Sequence, residues 1–139
     1  YEFEVDTHDI SYYQRITLTL LITTLVVKNF RESHHPLTAA EIADRLGMPK
    51  RLINNLIFDL VQCKVFSEVK TDNSNDCAYQ PSEDINKLTV AYVINKVEDY
   101  GSTDVITEPS DELDHIYETV KEFRSMINHS DKNVLLQDL

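Results

Sequence analysis

Gly47 is one of only two glycines in the chain, and it falls between two short stretches that each carry the apolar spacing of a helix. Before it, Thr38 is followed three residues later by Glu41, the pattern of a capping box, which opens a helix over 39–46. Leu37, Ala40, Ile42, Ala43 and Leu46 supply its packing surface, with Ala43 small where two helices must cross closely. Gly47 ends that helix, and Pro49 suits the first turn of the next because it has no N–H to leave unpaired there. Over 49–63 the apolar residues Leu52, Ile53, Leu56, Ile57, Leu60 and Val61 form one stripe. Lys50, Arg51, Asn54, Asn55, Phe58, Asp59 and Gln62 face away from it. Two short helices therefore meet across a tight turn.

The flanking segments complete the pattern. Residues 10–30 lack Gly and Pro and are apolar on nearly every side from Leu18 to Val27, as expected of a helix enclosed by neighbours. Downstream, 65–80 alternates, turns through the polar run 71–76 and runs extended into Pro81, which predicts a β-hairpin. Asp84 or Asn86 can cap a helix over 86–100. Ser110, with Leu113, Ile116, Tyr117, Val120, Phe123 and Ile127, marks a last amphipathic helix. The tail beyond Asn128 is loose or docked by Val134, Leu135 and Leu136. The element order is that of a winged helix-turn-helix: a mainly α fold with a small β-hairpin and an additional C-terminal helix. The expected division is a winged-helix unit over 1–106 and a helix and tail over 107–139. Leu113, Ile116, Val120, Phe123 and Ile127 would pack on the first helix of the same chain or pair with another copy.

Composition narrows the function. With 139 residues, 2 Gly and 4 Pro, one core is expected, and no phosphate-cradling glycine loop can be built. No nucleophile or dinucleotide motif is present, so no catalytic residue and no cofactor site is assigned. His34 and His35 beside Glu32 offer at most two imidazoles from one loop, and Glu108, Asp111, Glu112 and Asp114 lack the turn of a calcium loop, so no metal is expected. Cys63 and Cys77 have no CxxC partner and are read as reduced thiols. The net charge of -11 opposes a polyphosphate partner, and residues 98–118 hold eight acids with no Lys or Arg. Between Arg15 and Lys28 lie only 12 uncharged residues, where a bilayer span needs about 20. The start at Tyr1 and the acidic residues behind it are unlike a targeting peptide, and suggest a piece of a longer protein.

The phrases YEFEVDTHDIS, LTAAEIADRLGMPKRLINNLIFDLV and YQPSEDINKLTVAYVINKVEDYGS resemble the cytosolic C-terminal extension of YihY/virulence factor BrkB family membrane proteins, formerly labelled ribonuclease BN. The likeness runs over about residues 1–106. It implies a non-catalytic winged-helix module on the cytoplasmic side of a bacterial inner membrane, joined to the membrane through a preceding region and serving protein contact, self-association or regulation. A more distant similarity is to winged-helix repressors that hold an iron–sulfur cluster through three cysteines beyond the wing. Cys63 and Cys77 do not fit that spacing, so no cluster is carried over. The alternative function is DNA-binding transcription regulation, with Lys50, Arg51, Asn54, Asn55, Phe58 and Gln62 as the surface that meets DNA or a protein. Nucleic acid is held possible but disfavoured by charge.

Overall fold

A computed structural model of the chain describes residues 9–73, 75–103 and 105–139, so the acidic leader through His8 lies outside the described residues. The first helix, α1 (Tyr12–Arg31), is capped by Ser11, whose hydroxyl accepts from the Gln14 N–H. It buries one face, with Ile22, Val26 and Val27 in the core, while Leu21 stays 45% exposed. The expectation of a helix covered all round is therefore corrected: the outward Leu and Thr residues made the stretch look apolar on every side. Thr23 and Thr24 instead return their hydroxyls to the carbonyls of Thr19 and Leu20, one turn back.

A two-residue strand, β1 (Leu37–Thr38), leads into α2 (Ala39–Leu46). The capping box is closed in both directions: the Glu41 N–H donates to Thr38 Oγ1, and the Thr38 N–H to Glu41 Oε1. Gly47 takes φ +63°, the left-handed conformation in which a residue with a side chain is strained, and α3 (Lys50–Gln62) follows directly. Leu52, Ile53, Leu56, Ile57 and Leu60 of α3 lie in one cluster with Ile22 and Val26 of α1 and Ile42 of α2.

The ribbon is β2 (Phe66–Lys70) antiparallel to β3 (Cys77–Pro81). It is not two-stranded. Leu37 and Thr38 pair with Tyr79 and Ala78, giving a three-stranded sheet of order β1-β3-β2 that ties the helix-turn-helix to the ribbon. A one-turn 3-10 helix, Ile85–Lys87, uses the Asp84 cap, and the true helix α4 (Val90–Asp99) starts later, capped by Thr89. The chain then passes through an exposed linker to α5 (Asp111–Asn128), capped by Ser110.

The tail returns to the body. Leu136 is fully buried in the core, its N–H donates to the Leu88 carbonyl at 2.9 Å, and Thr89 pairs with Leu135. Arg31 and Lys28 of α1 donate to the carbonyls of Gln137 and Leu139. Of the three apolar tail residues expected to dock, Leu136 carries the burial.

Candidate nucleic-acid interface

The inner face of α3 is buried, so its outer face is fixed in direction. Lys50, Arg51, Asn54, Asn55, Phe58 and Gln62 are all exposed there, and the first five line one shallow depression. Phe58 is 60% exposed, so its ring is no part of the core. Asn55 Nδ2 donates to the Arg51 carbonyl at 3.3 Å, a bond within the helix that orients the amide along the same face. Asn54 and Phe58 are one turn apart and line a second cleft, of about 170 Å³, with Gln62 and with Glu68 and Tyr79 of the sheet.

Asp59, next to Phe58 on α3, would oppose an anion at this face if its carboxylate stood free. In the structure it turns toward α1 and meets the guanidinium of Arg15 at 2.6 Å, with both side chains about a third exposed. Its charge is compensated, and sequence reasoning missed this because the two residues stand 44 positions apart. Lys64 sits with φ +66° in the turn between α3 and β2. The ribbon tip is organised by Thr71, whose hydroxyl donates to the Asn73 carbonyl and accepts from the Asn73 N–H. Asp72 and Asp76 remain there, where a basic tip would suit DNA better.

The net charge is unevenly distributed. Residues 10–97 carry ten Lys and Arg against nine Asp and Glu, so the negative excess belongs to the leader and to the linker and start of α5. The body that presents α3 is close to neutral. This weakens the objection drawn from the whole-chain charge, although the Tyr100 hydroxyl, next to Glu98 and Asp99 in sequence, meets Gln62 at the end of the α3 face at 3.4 Å.

The thiol of Cys77 stands on β3, the central strand of the sheet. Cys77 Sγ lies 3.1 Å from Glu68 Oε2 and 3.3 Å from the Tyr79 hydroxyl. The Tyr79 hydroxyl favours the thiolate, but burial and the Glu68 carboxylate outweigh it and raise the Cys77 pKa. Tyr79 is raised as well, by burial and then by Cys77. Cys63 caps the end of α3, is buried, and is likewise raised by desolvation. Among the described residues no group of three or more His, Cys, Asp or Glu side chains is placed to hold a metal; the imidazole of His34 meets Glu32 at 3.2 Å.

The residues of the last helix are also fixed. Ile116, Tyr117, Val120, Phe123, Met126 and Ile127 are exposed, and no residue of α5 is buried. The helix leans on α4 through Arg124, which reaches Asp99 at 2.8 Å and Glu98 at 3.3 Å, and through Asn128, whose Oδ1 accepts from Asn95. Its main contacts within the chain are with α4 rather than with α1, the first of the two placements expected for it.

The chain matches no known protein-family model and no curated protein. Solved structures do share its fold. CymR of B. subtilis, described as the global cysteine regulator, superposes with a TM-score of 0.60 at 14% identity over 99% of this chain and 95% of that one. IscR of T. potens gives 0.57 at 14% identity, over 88% and 82%. CymR of Staphylococcus aureus gives 0.55 at 14%, over 84% and 90%. The expected YihY/BrkB kinship is overturned by these neighbours, and with it the reading as a cytosolic module of a membrane protein. The phrase that carried the resemblance, GMPKRLINNLIFDL, holds a glycine stop, a proline start and an i, i+3, i+4 stripe, which a helix-turn-helix of any lineage requires. No helix among the described residues is long and apolar enough to cross a membrane. At these identities the likeness establishes architecture: the chain is a mostly helical winged-helix fold with a small three-stranded antiparallel sheet.

Proposed function

We propose that this chain is a non-enzymatic, dimeric winged-helix transcription regulator that lays the outer face of α3 into the major groove of DNA. The observation that carries the reading is the outer face itself. Its side chains are Lys50, Arg51, Asn54, Asn55, Phe58 and Gln62, on a helix whose other face is locked into the core. Lys50 and Arg51 stand at the N-terminal end of α3, where the backbone N–H groups also point at an anion, and there they contact phosphate. Asn54 and Asn55 have the donor–acceptor pair that suits adenine, and Gln62 the same chemistry two turns on. Fold-level kinship with CymR and IscR supports the assignment, as does the near-neutral charge of residues 10–97.

Two copies are joined, in this reading, along α5, with Leu113, Ile116, Val120, Phe123 and Ile127 as the seam. A winged-helix dimer reads two half-sites, so the interface and the DNA contact act together.

The test is fluorescence anisotropy with duplexes selected from a random pool. Binding is expected to weaken steeply as salt rises, and Lys50→Glu with Arg51→Glu is expected to abolish it while leaving the circular dichroism spectrum unchanged. Absence of enrichment in the selection, or full binding by the double variant, would refute the assignment.

A further inference from the structure

A second depression, of about 360 Å³, lies on the other side of the helix-turn-helix, between the end of α1, the loop 32–36 and α2. Its floor is Leu25, Leu37 and Asn29. Asn29 is 6% exposed, and its Nδ2 donates to the His35 carbonyl at 2.8 Å. That bond fixes the amide, since turning it over would set Oδ1 against a carbonyl. Oδ1 is thereby left buried with no partner among the described residues. A buried acceptor without a donor keeps the full cost of its desolvation, so the site is built for a group that brings an N–H or O–H.

The rim carries both signs of charge. Glu41 is committed to the Thr38 cap and Lys28 to the Leu139 carbonyl. Arg45 lines the depression and makes no ion pair with another described residue. Glu32, whose contacts with His34 and Arg31 are exposed, faces it as the opposite charge. A guanidinium, a carboxylate, an orphaned amide oxygen and two leucines in one depression suit a molecule with a carboxylate, an ammonium and a short aliphatic side chain.

We infer that this depression binds a small free amino acid with an aliphatic side chain. The carboxylate pairs with Arg45, the ammonium donates to Asn29 Oδ1 and Glu32, and the side chain rests on Leu25 and Leu37. The site stands independently of DNA binding, but its loop runs straight into β1 and the cap of α2, so occupancy braces the start of the helix-turn-helix.

The test is a titration of the ¹⁵N-labelled full chain with L-valine and L-leucine, followed by heteronuclear NMR, alongside isovalerate and isobutylamine, which are valine without its amine and without its carboxylate. Saturable shifts confined to residues 25–45 are expected with valine, leucine or both. Each one-group compound is expected to bind roughly tenfold or more weakly, the loss of one charge-assisted hydrogen bond. Arg45→Ala removes an exposed side chain, and it is expected to weaken amino-acid binding by a similar factor with the spectral dispersion unchanged. The proposal is overturned if neither amino acid gives saturable shifts, which would leave Asn29 to an ordered water, if either one-group compound binds as well, or if Arg45→Ala has no effect. Valine binding by a chain that binds no DNA would support this site and refute the DNA reading.

Discussion

Phe58 is the residue whose exposure most demands a purpose. A phenyl ring 60% open to solvent, one turn from Asn54 on an otherwise polar helix face, has a natural counterpart in the major groove: the thymine methyl. DNA recognition through α3 therefore predicts an A·T preference at adjacent positions. Replacing thymine by uracil in a selected duplex should weaken the wild-type chain by about 0.8 kcal/mol, roughly fourfold, the worth of one buried methyl. Phe58→Ala should bind both duplexes alike, with stability changed by less than about 0.5 kcal/mol because the side chain is exposed. Competition anisotropy with the two duplexes reads this directly, and equal affinity of the wild type for both would exclude methyl readout. At this scale the sequence was informative where a side chain's direction follows from helical period, as for all six outward residues of α3. It was silent where direction depends on a partner far along the chain, as for Asp59 with Arg15 and for the orphaned oxygen of Asn29.

At the scale of elements, legibility follows the range of the interactions that set each boundary. The start of α2 is fixed by Thr38 and Glu41 within one turn, and it was readable to the residue. Thr38→Ala is expected to cost about 1 kcal/mol, measured by urea denaturation, through the loss of the N–H acceptor. The start of α4 is only partly local, since beside the Thr89 cap it draws on the tail. The Val90 N–H donates to the Val134 carbonyl at 3.0 Å and the Ala91 N–H to Asn133 Oδ1 at 2.8 Å, so the tail satisfies donors that open the helix. Asp84 and Asn86 offered a local cap, and the chain spends Asp84 on a 3-10 turn instead. The short β1 was invisible for the same reason, since two residues become a strand only because β3 lies beside them. The tail should accordingly behave as part of the fold: Leu136→Ala, at a fully buried position, should destabilise the chain by about 2–5 kcal/mol in the same assay. A loss under about 0.5 kcal/mol would mean that the strap contributes no packing.

For the whole molecule, two distributions matter, charge and exposed apolar surface, and they occupy different parts. The near-neutral body presents α3, while the acids gather in the leader, the linker and the first turn of α5, where Asp111, Glu112 and Asp114 favour the helix dipole. The apolar surplus lies along α5, where Ile116, Val120, Phe123 and Ile127 are each at least half exposed. A single copy that left such a stripe in water would carry an apolar patch of the kind that marks an association surface. In the proposed dimer a second α5 would cover it with identical chemistry, with the acids at the helix start at the ends of the seam. Light scattering is expected to give twice the 16.1 kDa chain mass. Val120→Glu with Phe123→Glu should return it to one chain mass at unchanged helical content, because neither residue packs into its own body. Since a lone copy holds one half-site, the same variant should lose roughly 10²-fold or more in affinity for a selected duplex that carries two. Retention of the dimer by this variant would move the interface elsewhere. Loss of the dimer with undiminished DNA affinity would separate the seam from recognition, and α3 would then act as an independent reading head.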